Sequence, residues 1–504
     1  MLRFATRPTI ALAALLTGSA GFAADTAEQS PSPLHSPQAI APSWVQLAAG
    51  ARAHDSCQAC KGQIGCIETP DFAACLMPGT SERMLSLINQ HMELIALQTQ
   101  GEGGVAFHLG PRWSPQTQGN PITLRWSIVP DGLMIPGSPT LGEPDGPSIL
   151  QQRLTQVFGS VENGLQRFRL VYDRWEYLTG IDFIEVTDDG AAWGAAGPAT
   201  LPTANRGDIR IGMHIFGFGG TLAYAGFPNG GDIVMNGTIN WNQPANNYRF
   251  LRNVLAHESG HAIGMRHNCP ENDTKLMEPT ISLAFDGPQH DDIRGGQRHY
   301  GDRFEANDTI AAATALGPGP SIDVLDVSLD DDGDVDIFSF VAGPNQQVDI
   351  IVTPVGLIYE DAQETAGDIC PATGATIISQ SILDLRVRLI STDGLTVLLT
   401  VDTNPAGGPE RILDYDLPGA GTYFVRVTGT GADDIQTYKM DIDLVDIAPP
   451  TCAADLNGSG VVDGLDLGIL LAQWGTGGAA DLNGSGSVDG IDLGILLAQW
   501  GLCD

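Results

Sequence analysis

The chain has 504 residues with a 42% hydrophobic fraction, enough apolar material for ordinary cores and a length that calls for three or four domains rather than one. Its formal net charge of −35 argues against nucleic acid or an anionic membrane as a partner. It leaves the Asp-rich loops to serve as calcium sites or as solubilising surface.

Residues 1–24 read as an export signal: Arg3 and Arg7 precede an apolar run over 10–16, and small residues at 21–24 offer a cleavage site. No later run approaches the ~20 apolar residues of a membrane span, so the product is expected to be secreted, in a compartment where disulfides form. The eight cysteines are even in number, which fits. Residues 25–104 form a linker and N-terminal segment. It is Pro, Ser and Ala rich to about 55, then carries Cys57, Cys60, Cys66 and Cys75, then shows helical periodicity over 81–98. Two local disulfides or a structural zinc knuckle are both open to these cysteines.

From 105 to 302 the pattern is α+β. Residues 122–129 alternate as a strand; Leu165, Phe168, Leu170, Val171, Trp175 and Leu178 recur at helical spacing and should be core; 182–186 and 208–213 read as strands. His214, next in line, reads as a polar surface residue, with metal ligation as the alternative. A helix over 250–263 puts His257 and His261 at i and i+4, so both imidazoles leave one face and can grip one ion. Gly264 can take positive φ, end the helix and turn the chain so that His267 arrives as third ligand. Tetrahedral catalytic zinc takes three protein ligands and keeps a position for water, and Glu258 stands beside them as that water's general base.

The run from His257 through Glu258, His261 and Gly264 to His267 resembles the metzincin metalloprotease signature. The downstream Met-turn is matched by Leu276-Met277-Glu278-Pro279. Within metzincins the chain is most similar to matrixins, through that form of the turn and through residues 291–301, which resemble the matrixin C-terminal helix. The resemblance implies that Met277 is a hydrophobic floor beneath the histidines. It also implies that Pro279, standing where related families carry a tyrosine, leaves no fifth ligand. Residues 122–129 resemble the first strand of that domain, and 221–228 and 231–236 resemble the loop and edge strand flanking its cleft. Matrixins carry a histidine where Tyr224 stands and an aspartate where Asn236 stands, at positions used for structural zinc and calcium, so one catalytic zinc is expected here. The resemblance adds a third reading of the N-terminal cysteines, a thiolate capping the zinc in a latent precursor. Cys269 is left to pair with a distant cysteine such as Cys370 or to stay free.

Residues 303–449 alternate strand patterns, such as 337–340, 348–352 and 422–427, with Gly, Pro and Asp turns, and predict an antiparallel β-sandwich. The pattern resembles the pre-peptidase C-terminal domain of secreted bacterial proteases. The acidic stretch 330–336 is expected to be a solvated turn, a calcium loop being the alternative.

The tail, 450–504, repeats itself. Asp455, Asn457, Ser459, Val461, Asp463 and Asp466 form a first calcium-loop pattern, and Asp481, Asn483, Ser485, Ser487, Asp489 and Asp492 repeat it 26 positions later. Each loop precedes an apolar helix, and Cys452 and Cys503 bracket the unit. The pair resembles a type I dockerin, which implies two Ca2+ and a cohesin-like or surface partner.

The whole predicts a multidomain protein: an α+β metzincin catalytic domain with a mixed twisted sheet and an active-site helix, a β-sandwich, and a small α EF-hand-like dockerin. The expected function is a secreted zinc metalloendopeptidase acting on protein or peptide substrates. The rival is a catalytically silent adhesion or scaffold-binding protein that uses the sandwich and the dockerin. Retention of Glu258 favours the enzyme.

Overall fold

A computed structural model describes residues 107–137, 143–216, 220–363, 370–447 and 452–503, together with the backbone of strand β1 (Phe72–Leu76). The expected export signal, the linker, Cys57, Cys60, Cys66 and the helix expected over 81–98 lie outside the described residues. Among the described residues no helix is long and apolar enough to cross a membrane.

The first layer is a six-stranded sheet. Its members after β1 are β2 (Ile122–Ile128), β5 (Ile181–Glu185), β6 (Ile209–His214), β7 (Thr221–Gly226) and β8 (Ile233–Asn236), while β3 (Met134–Ile135) and β4 (Gly146–Pro147) pair separately. The order is β1-β7-β8-β6-β2-β5. Strands β5, β2, β6 and β8 run parallel; β7 is antiparallel to β8, and β1 is antiparallel to β7. Residues 221–226 are thus a strand where a loop was expected, and 233–236 lie inside the sheet rather than at its edge.

Helices α1 (Leu150–Phe158) and α2 (Val161–Leu178) cover this sheet. Ser160 caps α2 by accepting the Asn163 N–H at 3.1 Å. Phe168, Val171, Trp175 and Leu178 are buried as their spacing predicts, but Leu170 is 44% exposed: it sits on the far side of the stripe. Helix α1 was not anticipated, since only Leu150 and Leu154 of its residues are buried. Helix α3 (Ala245–Ala262) packs across α2, with Trp175 Nε1 donating to Ala256 O at 3.1 Å. The dihedrals of Asn246 to Tyr248 are left-handed, so the regular helix starts after them. Helix α4 (His290–Tyr300) closes the layer.

The second layer is a β-sandwich of two sheets. β10 (Ser321–Leu329), β19 (Gln436–Asp446), β12 (Gln346–Pro354) and β17 (Glu410–Asp416) make one sheet in that order. The other, in order, is β16 (Val397–Val401), β15 (Leu383–Ile390), β18 (Gly421–Gly431), β11 (Val335–Ala342) and β9 (Thr314–Ala315). Alternate residues point inward, and Val348, Ile350 and Val352 of β12 meet Leu385, Val387, Val425 and Val427 in one core.

The sandwich grips the first layer around α4. Arg294 is fully buried and donates to Tyr359 OH at 2.5 Å and to Asp434 at 3.0 Å. Tyr359 sits on β13 (Ile358–Asp361), which pairs with β14 (Ala375–Ile378). Just beyond β13, Ala362 exchanges backbone hydrogen bonds of 3.0 and 2.8 Å with Cys269, and Cys269 is disulfide-bonded to Cys370.

The tail folds around its duplication. Helices α5 (Gly464–Ala472) and α6 (Gly490–Ala498) are N-capped by Asp463 and Asp489, with Asp466 and Asp492 completing the boxes. β20 (Val461–Val462) pairs with β21 (Gly501–Leu502), and the Cys452–Cys503 disulfide joins the ends.

Candidate active site

The three histidines come together. His257, His261 and His267 are buried, and one ring nitrogen from each lies within 4.8 Å of the others. Helix α3 supplies the first two, one turn apart. Gly264 ends it with φ of 105°, and a Cβ there would overlap Pro111 O, so only glycine allows both the turn and the close approach. The returning chain runs against residues 108–110: Gly110 N donates to Gly264 O at 2.6 Å, and Arg266 N to His108 O at 2.7 Å. The carbonyls left open at the helix end find side chains, Ala262 O accepting from Trp113 Nε1 and Ile263 O from Tyr300 OH, each at 2.8 Å.

The ring orientations test whether a metal fits. His257 Nδ1 faces Leu276 O and His261 Nδ1 faces Met265 O, both at 2.7 Å. A carbonyl only accepts, so each Nδ1 carries the hydrogen and each Nε2 presents a lone pair. Those two Nε2 atoms stand 3.0 Å apart. Burial, and then the neighbouring His267, hold His257 down to about 3, and His261 is held well below its ordinary value by burial and the same neighbours. A shared proton is therefore disfavoured at neutral pH, and two opposed lone pairs at this distance call for a cation. An all-imidazole, three-donor set suits zinc with a position left for water.

The supports of this site include residues not foreseen in the sequence. Leu276 N and Met277 N donate to the buried Asp292 carboxylate of α4 at 2.7 and 3.0 Å, and Asn268 N donates to Met277 O at 2.8 Å. Asp292 thereby holds the turn whose carbonyl orients His257, the kind of outer partner that fixes a ligand's tautomer. Burial raises the Asp292 carboxyl to about 6 against those N–H donors. Glu278 binds the loop alongside, accepting from the backbone N–H groups of Asn272, Asp273, Thr274 and Lys275. Met277 lies against Gly260, where a Cβ would overlap its sulfur. Pro279 follows in the same turn, and Glu258 is fully buried on α3.

His214 is not at the surface. It is fully buried with Nε2 2.5 Å from Glu143 Oε1, and Tyr224 OH donates to the same carboxylate at 3.0 and 3.1 Å. Asn236 is also buried, its Nδ2 donating to Thr221 O at 2.8 Å. Hydrogen-bonded side chains thus fill the places for which the matrixin resemblance implies metal ligands. In the tail, Asp466 accepts from Asn457 N and Asp492 from Asn483 N, each at 3.1 Å, so the two loops are built alike. Their carboxylates are not among the groups of three that converge within 4.8 Å; they turn to their own loops' N–H groups.

Residues 160–301 match the family model described as matrixin. The chain is 34% identical to matrix metalloproteinase-20 of Homo sapiens over 130 residues, covering 22% of this chain and 26% of that protein. It is 30% identical to the interstitial collagenase of Equus caballus over 140 residues, 27% of this chain and 28% of that one. The chain spans about a quarter of the length of these curated relatives. Among solved structures it is similar to the pre-peptidase C-terminal domain of a collagenase from Bacillus anthracis, with 14% identity over 26% of this chain and 94% of that one and a TM-score of 0.17. The segment that carries His257, His261 and His267 is a matrixin-family domain, a family that implies a catalytic zinc.

Proposed function

We propose that the chain is a secreted zinc metalloendopeptidase, with its catalytic domain over 105–302, an accessory sandwich over 303–449 and a calcium-binding attachment unit over 450–504. The observation that carries this is the pair of opposed Nε2 atoms of His257 and His261, 3.0 Å apart, with His267 beside them.

When bound, zinc supplies Lewis acidity toward the scissile carbonyl and makes a water easier to deprotonate. The chain's own residues do the rest. His257, His261 and His267 hold the ion, the first two aimed by the Leu276 and Met265 carbonyls. Glu258 takes the proton of the attacking water on its carboxylate and delivers it to the leaving amine. Met277 fills the floor beneath the rings and closes it to solvent.

The tail supports attachment through its repeated apolar surface. Leu465, Leu471 and Trp474 are exposed, and so are their counterparts 26 positions on, Ile491, Leu497 and Trp500. Calcium at Asp455 to Asp466 and at Asp481 to Asp492 would set the spacing of these two faces for a cohesin-like partner.

The test is cleavage of a denatured protein mixture by the purified chain and by Glu258→Ala. Cleavage should be blocked by a chelator and reduced ~10^2 to 10^4-fold in the variant. A chain that cleaves nothing under either condition would be the silent scaffold instead.

A further inference from the structure

Strand β13 of the sandwich turns its isoleucine to solvent and its polar side chains inward. Ile358 is 72% exposed, while Tyr359 is buried and Asp361 nearly so. The last two stand two positions apart, hence on one face of the strand, and that face lies against the matrixin domain. A strand hides polar groups only where polar partners receive them. We propose that Tyr359 and Asp361 are positioning residues of the zinc site, steadying the loop of His267 from the sandwich. The inference rests on zinc at the three histidines and extends that site into a second domain.

His267 depends on such support more than its two companions do. His257 and His261 share one helix, with the Leu276 and Met265 carbonyls at their Nδ1 atoms. His267 stands on the chain returning after Gly264, so its place is set by where its neighbours are held. On one flank Arg266 N donates to His108 O at 2.7 Å, and His108 Nε2 stands 3.4 Å from Asp361 Oδ1. On the other flank Asn268 Nδ2 donates to Asp291 Oδ2 of α4, and Asp291 is hydrogen-bonded by Tyr359. A phenol has one hydrogen to give. Arg294 Nη1 donates to the Tyr359 oxygen at 2.5 Å, so that hydrogen goes to the Asp291 carboxylate. β13 thus reaches both neighbours of the third histidine, each through a single intervening residue.

A contact that only joined the two domains would be indifferent to where on the matrixin side it landed. Arg294 carries that join: besides Asp434 it reaches Ile435 O at 3.2 Å and stacks over the Phe107 ring at 5.3 Å. Tyr359 and Asp361 are placed differently, on the two paths that end at Arg266 and Asn268. Without the phenolic hydrogen bond, Asp291 loses a donor that fixes its carboxylate, and Asn268 is held less firmly against it. Outer partners that hold a metal ligand in place are commonly worth about 10 to 100-fold in affinity. Asp361 acts over a longer contact and through the His108 backbone, so its share is the smaller.

The experiment compares the full chain with Tyr359→Phe, Asp361→Asn and Tyr423→Phe. The last is the control for losing a phenol hydroxyl inside the sandwich, where Tyr423 OH donates to Gly419 O at 2.7 Å. Zinc affinity is read by competition with a chromophoric chelator, and ligand geometry by the visible spectrum once cobalt replaces zinc. Tyr359→Phe should weaken zinc about 10 to 100-fold and change the cobalt spectrum. Asp361→Asn should act in the same direction and less, and Tyr423→Phe should change neither reading. In the metal-free chains, hydrogen exchange at the Arg266 amide should be faster in Asp361→Asn than in Tyr423→Phe; equal exchange overturns the part given to Asp361. The proposal as a whole is overturned if Tyr359→Phe binds zinc as the parent does, or if Tyr423→Phe weakens zinc as much. A parent chain that binds no zinc overturns the zinc site itself and this inference with it, a result distinct from either of those.

Discussion

Met277 fills the volume that a side chain at position 260 would need, its sulfur packed against the bare Cα of Gly260 in the turn between the two helical histidines. Glycine inside a helix costs about 1 kcal/mol relative to alanine, so by propensity alone Gly260→Ala should stabilise. The contact reverses the sign. The new methyl would push Met277 aside and shift the Leu276 carbonyl off His257. We expect a net loss of roughly 1–3 kcal/mol, as for overpacked cores, and a zinc affinity lower by about 10 to 100-fold. Denaturant unfolding and competition with a chromophoric chelator check the two effects; a more stable Gly260→Ala protein with unchanged zinc affinity would refute the role given to Met277.

The Cys269–Cys370 bond closes a loop of 101 residues and begins two positions after His267. In the chain-entropy picture a loop of that size stabilises by about 4–5 kcal/mol, with measured values commonly 2–4. Cys370→Ser should therefore lower the unfolding midpoint and also speed zinc release. The second effect separates a local role from a global one. If stability falls while the release rate at low temperature stays the same, the sandwich does not steady His267.

Strand β1 lies on the outer edge of β7, with Phe72 opposite Gly226 and Leu76 opposite Thr221. An exposed edge is where an extended peptide adds as a further strand. With β1 in place that edge is taken. Trimming the chain to begin at residue 105 should raise kcat/KM for peptide substrates, by roughly tenfold if the pairing is worth about 1.4 kcal/mol. Equal values before and after trimming would show that peptides bind elsewhere.

The acids between the two layers give a pH dependence with a definite sign. Burial first, then neighbouring charge, raises Asp334 to about 7, Asp330 to about 8 and Glu305 to about 10 in the folded chain. The nearby groups are Asp302, raised by burial to about 6, Asp308 and Asp331, with Arg298 and Arg303 as the cations. Raised carboxyl values mean that the folded state binds more protons than the unfolded one from about pH 4 upward, so the cluster's contribution falls as pH rises through these values. The protein should lose stability between pH 5 and about 8. Thermal unfolding across this range, compared with Glu305→Gln, is the measurement; a slope unchanged in the variant would contradict it.

What could be read from residue order alone divides by distance along the chain. His257, His261, Gly264 and His267 are legible because helical spacing and one glycine place them locally. The buried stripe of α2 follows for the same reason, apart from Leu170. Asp292 carries no such mark: its work is done on backbone N–H groups of Leu276 and Met277, which a pattern of side chains does not display. His214 looked like a surface residue because its partner, Glu143, stands 71 positions earlier in the chain. Of the acids at 330–336, Asp332 is exposed as a solvated turn would have it, whereas Asp330 and Asp336 are buried, Asp330 beside the distant 118–121 loop. Helix α1 escaped notice because two buried leucines in nine residues make too faint a period.

The double backbone pairing of Cys269 with Ala362 also bears on modularity. A piece of this chain cut at Gly301 would keep every histidine but lose the short ladder and the sulfur partner beside the third one. The matrixin segment and the sandwich are therefore joined beside the third histidine. Grafting the matrixin segment onto another carrier would need either a replacement for residues 358–370 or a new end for the loop that follows His267.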